Sequence, residues 1–208
     1  MAFTPIFLFH FLASILFDDG AAEHFLLSGA VCFALGAALT LLCWPFRATL
    51  RKREGILLVF LAWISLAMIS ALPVYLTVQL TQEGFSFANA VFEGMSGLTT
   101  TGATVINQVE ALPKSINLWR NSLLWFGGMG ILLLAVAILP LFNVGGRELM
   151  QSEMPGPLKD ERLTPRIAST AKMLYGIYFV ASLLCVIAYR IAGLSWFDAW
   201  CHAASTMS

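Results

Sequence analysis

The chain has 208 residues, 59% of them apolar and only 12% charged, with a mean hydropathy of +0.80. Soluble domains carry roughly twice that share of charged residues, so the composition excludes an ordinary soluble domain and points to an integral membrane protein. Twelve basic and twelve acidic residues balance to a net charge of zero; with no basic tract carrying interleaved aromatics, no nucleic-acid partner is expected.

In chain order, the first apolar stretch is Phe3–Phe17. It is short for a span, roughly 22 Å as a helix, and lacks the charged residues that usually start a span, so the N-terminus is expected to be incomplete. It has neither a basic leader nor a small-x-small cleavage site, which argues against a signal peptide. Phe25–Phe46 and Ile56–Leu80 hold no charged residue, and each is long enough to cross about 30 Å of hydrocarbon. Leu118–Phe142 follows with Arg120 at its edge, and Met173–Leu194 with Arg190 near its end. The expected class is all-α integral membrane, with about five transmembrane helices plus re-entrant pore loops.

Basic residues in short loops set the orientation. Arg47, Arg51, Lys52 and Arg53 follow the second span; Arg147, Lys159, Arg162, Arg166 and Lys172 follow the fourth. Residues 47–55 and 143–172 are therefore expected to be cytoplasmic, and residues 18–24 and 81–117 external. Trp44 and Trp119 fall near span ends, where indole rings favour the interface. Thr164 and Pro165 are expected as N-cap and first residue of the fifth helix.

The external stretch 81–117 is too long for a tight connection and too apolar in part for a solvated loop. Phe85, Phe87, Val91, Phe92 and Met95 have the spacing of a short helix, Phe85–Ser96, which Gly97 would end at C′. Thr99-Thr100-Thr101-Gly102 follows. This is the pattern of a re-entrant loop, and non-helical backbone at membrane depth survives only if protein buries it or it lines water. Carbonyls of an extended strand replace a cation's hydration shell in channel filters, glycine permits the backbone angles that aim them, and the preceding half-helix presents its negative end. The plainer alternative is an external loop rich in turn residues.

The end of the chain repeats the pattern. Gly84–Thr99 aligns without gaps on Gly193–Ser208 at an offset of 109, with identities at Gly84/Gly193, Ser86/Ser195, Ala90/Ala199 and Ser96/Ser205. Ser208 falls opposite Thr99, where a second polar strand would begin. The chain is therefore expected to be a fragment cut at its C-terminus.

Other polar residues are weighed against simpler roles. Glu93, inside the half-helix, either adds negative potential for an ion or braces the half-helix; His202 at the repeat-equivalent position favours the brace. His10 is read as structural and His24 as a surface residue. Gly127-Gly128-Met129-Gly130 is read as a close-packing point in the fourth span. Gly145-Gly146-Arg147 resembles no phosphate loop. Cys32, Cys43, Cys185 and Cys201 lie scattered with no metal-ligand spacing. No organised catalytic set occurs, so no enzyme and no cofactor are expected beyond a transported ion.

FEGMSGLTTTGATVI, WRNSLLWFGGMGILLLAVAILP and LTPRIASTAKMLYGIYF closely resemble the Trk/Ktr superfamily of potassium uptake subunits, most of all its TrkH branch, over about Phe25–Ser208. The resemblance implies four span–loop–span repeats around one pore, preceded by two extra helices. Residues 1–55 would then hold the two leading helices and 56–142 the first complete repeat. Residues 143–171 would form a cytoplasmic connector, and 172–208 the start of a second repeat that stops at its filter. The resemblance also implies that Thr99, Thr100, Thr101 and Gly102 form one quarter of the selectivity filter, with potassium at Thr100 and Thr101, and that Ser208 is the first residue of the second quarter. It further implies a cytosolic nucleotide-binding ring partner of the TrkA type, a homodimer at full length and a bacterial inner membrane. A small oligomeric cation-channel subunit, a sodium-permeable relative and a non-conducting assembly protein stay open as alternatives.

Overall fold

The computed structural model describes residues 3–45, 52–138 and 163–208. Among the described residues the regular structure is helical: α1 (Thr4–Phe17), α2 (Ala22–Cys43), α3 (Lys52–Val78), α4 (Phe87–Leu98), a 3₁₀ turn (Val109–Ala111), α5 (Lys114–Ile138), α6 (Leu163–Ile191) and α7 (Trp196–Met207). Most of the basic residues expected in cytoplasmic loops, the Gly145–Arg147 stretch and the end of the fourth expected span lie outside the described residues. Thr164 is already helical, within α6, and so is not its N-cap; Pro165 also sits inside the helix.

Three described helices are long and apolar enough to cross a membrane: Ala22–Cys43, Glu54–Val78 and Ser169–Ile191. Only 17–22% of each apolar window is buried within the chain. Leu39, Leu41 and Leu42 on α2 and Ile56, Leu57 and Phe60 on α3 face outward, an arrangement that water would oppose and lipid tails accept. α1 has 14 residues, about 21 Å of helix.

The chain divides into two compact units, Met1–Leu124 and Trp125–Ser208, with the boundary inside α5. In the first, α1 packs on α2, α2 on α3, and α3 on α4. Trp119 on α5 lies at the centre of this core, fully buried against Phe7, His10 and Phe25. Its indole Nε1 donates to the Ser70 carbonyl at 3.0 Å. This corrects the interfacial placement of Trp119. A fully buried indole needs a hydrogen-bond acceptor, and α3 supplies one. Trp44 is exposed.

Polar contacts also hold the α1–α2 hairpin. His10 is buried, with its ring nitrogens 2.8 Å from the Ile6 carbonyl and 3.1 Å from Ser122 Oγ, which supports its structural reading. Asp19 accepts from Ser14 Oγ and Ala21 N–H, and its other oxygen takes the Ser115 N–H at 2.7 Å. Burial pushes this carboxyl up, but those hydrogen bonds outweigh it and hold Asp19 below its ordinary range. Asp19 thus supplies, from a distant loop, the acceptor that a helix N-terminus otherwise finds in its own cap. His24 is half-buried, with Nδ1 2.9 Å from Thr77 Oγ1; it links α2 to α3 rather than belonging to the surface.

In the second unit α6 packs on α7. Trp125 Nε1 donates to Ser182 Oγ at 2.9 Å, and the Tyr178 hydroxyl donates to the Trp125 carbonyl at 3.2 Å. A Cβ on Gly128 would stand 2.6 Å from that hydroxyl, which agrees with the close-packing role read from the glycine cluster. The four cysteines are unpaired thiols, and no group of metal-ligating side chains occurs among the described residues.

The boundaries of α7 each follow those of α4 by 109 residues. Both helices are capped by a serine hydroxyl that accepts the N–H three residues on, Ser86 from Asn89 and Ser195 from Asp198. Gly84 and Gly193 both have positive φ, and Ala90 and Ala199 are both fully buried. Three of the four sequence identities therefore set one local geometry twice; in the fourth pair Ser96 Oγ donates to the Ala103 carbonyl and Ser205 Oγ to the His202 carbonyl.

Candidate functional site

The Thr/Gly segment begins where α4 ends. Thr101 N–H donates to the Ser96 carbonyl at 2.9 Å and Thr100 N–H to the Gly97 carbonyl at 3.0 Å. This crossed pair is a Schellman cap, with C′ at Thr100. Thr100 has φ +58°, the left-handed region where glycine is the usual occupant and a β-branched residue is a genuine outlier. The helix therefore runs two residues beyond the expected Ser96. Gly97 is inside it rather than at C′, because its missing side chain serves packing: a Cβ there would lie 2.9 Å from Leu123 Cβ.

After the cap the backbone opens. Thr99, Thr101 and Gly102 are exposed and Thr100 is half-buried. The carbonyls of Thr99, Thr100, Thr101 and Gly102 accept no hydrogen bond from the described residues. The Thr99 hydroxyl donates to the Met95 carbonyl at 2.8 Å and lies 2.9 Å from the Thr101 hydroxyl. Gly102 has φ +71°, and no heavy atom comes within 4 Å of where its Cβ would be. Glycine here meets a conformational need and not a spatial one.

The returning limb, residues 103–107, is held by three side chains. Ser96 Oγ donates to the Ala103 carbonyl at 2.7 Å. Glu93 Oε1 accepts from Thr104 Oγ1 and Val105 N–H, both at 2.7 Å. Gln82 accepts the Asn107 N–H at 3.2 Å and donates to the Val105 carbonyl at 3.4 Å. The second Glu93 oxygen lies 3.0 Å from Arg120 Nε and 2.9 Å from its Nη2. The carboxylate side chain is 2% exposed, and a charge so buried requires this partner.

The structure thus brings Thr99–Gly102 into one turn and gives Glu93 the bracing geometry read from the sequence. Ser208, in the other unit, caps α7 as Thr99 caps α4: its N–H donates to the Ala204 carbonyl as that of Thr99 does to Met95. The sequence alone does not mark Arg120, Gln82, Ser96 or Thr104 as site residues. The available signal was a single arginine at the edge of one apolar segment and a single glutamate inside another. Each needed a partner, and each is the other's.

The chain matches the family described as TrkH, cation transport protein, over residues 21–208. It is 46% identical over 95% of its length to the Trk system potassium uptake protein TrkH of Halomonas elongata, and 42% identical over 95% to TrkG of Escherichia coli. The crystal structure of the potassium transporter TrkH from Vibrio parahaemolyticus matches 99% of the chain with a TM-score of 0.79 and 38% identity. The chain spans about 40% of the length of each. Family membership and the outward-facing apolar helices agree: the chain belongs to the TrkH family of cation transport proteins, multi-pass membrane transporters rather than enzymes.

Proposed function

We propose that Thr99–Gly102 is one wall of a potassium-selective filter in a Trk-type uptake system. In this reading α3, the re-entrant loop through α4, and α5 are one span–loop–span repeat. The observation that carries it is the set of four consecutive carbonyls with no donor among the described residues, directly after a half-helix C-terminus and next to a limb fixed by Ser96, Glu93 and Gln82. A dehydrated cation needs such oxygens, and the negative end of α4 favours it. Potassium contacts the carbonyls of Thr100 and Thr101, and a complete site needs three more such walls. Ser208 stands at the start of one of them.

The same reading gives five spans, with residues 18–24 and 81–117 external and 47–55 and 143–172 on the cytoplasmic side of a bacterial inner membrane. There they meet a cytosolic nucleotide-binding ring of the TrkA type, and the full-length protein pairs as a homodimer. The divisions at 55, 142 and 171 follow from this organisation. The relatives named as potassium uptake proteins support potassium as the ion; the family description, cation transport, keeps sodium as the competitor to test.

The experiment is tracer rubidium and sodium uptake by the protein as its cell makes it, reconstituted in liposomes. Wild type should take up rubidium in preference to sodium, and Gly102→Ser should reduce that preference. Equal uptake of both ions by wild type, or unchanged preference in Gly102→Ser, refutes the filter assignment.

A further inference from the structure

Beside the Glu93–Arg120 pair lies a cavity of about 50 Å³. Its lining joins Glu93, Arg120, Ser96, Asn121 and Gly102. Polar lining and this volume suffice for a water molecule, and equally for a small cation that has shed most of its water. Gly102 therefore borders two environments, the exposed carbonyl path and a half-open pocket beside it.

A bare carboxylate in that space would be the stronger cation site of the two. Glu93 carries a full charge where Thr100 and Thr101 offer only dipoles, and its side chain is nearly sealed from solvent. Coulomb attraction rises as the surrounding dielectric falls, and compact, high-field oxygen sites favour small, hard cations. Arg120 alters this balance. Two of its guanidinium nitrogens sit on Glu93 Oε2, while Oε1 stays with Thr104 and Val105. The positive charge next to the cavity is thus tethered to α5 and cannot be exchanged for an ion.

We propose that Arg120 is a specificity-determining residue: it takes the place a cation would otherwise occupy beside Glu93, so that water fills the cavity and ions keep to the Thr99–Gly102 path. This rests on the filter reading above. Glu93 positions the limb through one oxygen, and Arg120 silences the other.

The test measures rubidium uptake into liposomes at rising external sodium, using the protein as its cell makes it. Arg120→Gln should bring half-inhibition to about tenfold lower sodium, the equivalent of one decade in affinity. Arg120→Lys keeps the charge and should stay near wild type. Glu93→Gln keeps the acceptor for Thr104 and Val105 but leaves Arg120 unbalanced, so uptake should slow with no gain in sodium sensitivity. Glu93→Gln/Arg120→Gln should restore uptake and sodium resistance together. Sodium sensitivity in Arg120→Gln equal to wild type, or a double variant no better than the worse single one, overturns the proposal. Should Arg120→Gln fail to fold, Glu93→Gln against the double variant decides. Absence of rubidium uptake in wild type refutes the filter reading itself, and is distinguishable because no variant is then involved.

Discussion

Thr100 sits in the left-handed region at a helix C′, where a residue with a Cβ is destabilised by about 1–2 kcal/mol. Thr100→Gly should therefore raise thermal stability in detergent by about 1 kcal/mol. The same change frees the carbonyl from one fixed direction, so rubidium-over-sodium preference should fall while the melting temperature rises. Gly97→Ala should do the opposite to stability, costing about 1–3 kcal/mol through overpacking on Leu123. These two residues also show what the sequence could not carry. Glycine is the default C′ residue, so the sequence points to Gly97 as the helix end. Choosing Thr100 instead required knowing that Leu123, 26 positions away, leaves no room for a side chain at Gly97. Thr99–Gly102 as a segment was readable from its composition alone, whereas the outlier within it was not.

Among the elements, α4 is placed by close approach and the limb by polar struts. A Cβ on Gly94 would meet Ser70 Oγ at 2.6 Å and the Ala67 carbonyl at 2.7 Å. The carbonyl is backbone and cannot rotate away, so Gly94→Ala should push α4 off α3 and destabilise by about 1–3 kcal/mol, seen as a lower melting temperature. Because Ser96 and Glu93 ride on α4, cation preference should weaken with it. Element existence was legible because apolar runs of span length and the half-helix spacing are local signals. The docking of the α1–α2 hairpin was not. It depends on His10 and Asp19 finding Ser122 and Ser115, and on Phe7 and Phe25 finding Trp119, pairs that share no sequence periodicity. A tryptophan near a span end looks the same whether its indole meets lipid headgroups or a buried carbonyl.

At the scale of the molecule charge is scarce, and among the described residues the buried carboxylate of Glu93 is paired with Arg120. Asp19 lies outside the spans, and its carboxyl is held below the ordinary range by its donors. A depressed carboxyl contributes stability above its unfolded pKa of about 3.9, and that contribution disappears as pH falls through the lower folded value. The stability difference between wild type and Asp19→Asn should therefore be full at neutral pH and shrink only in strong acid, measured as thermal unfolding in detergent across pH. A difference that fades near pH 6 would assign the effect to another group. The 109-residue offset is legible because Gly84/Gly193, Ser86/Ser195 and Ala90/Ala199 each fix a backbone angle, a cap or a close contact. Arg120 stayed obscure because its partner comes from another segment.

The struts on the returning limb have one further consequence. Ser96, Glu93 and Gln82 grip residues 103, 104, 105 and 107 in order, so the span from Ser96 to Asn107 acts as a ruler with its graduations engaged. Deleting one residue between Thr99 and Ala103 shifts every grip by one place. The glutamate would then face a carbonyl in place of an N–H. A residue inserted after Asn107 disengages none of the grips. Chain length in this loop is therefore as strict a specification as residue type, and natural variation in length belongs beyond its last graduation.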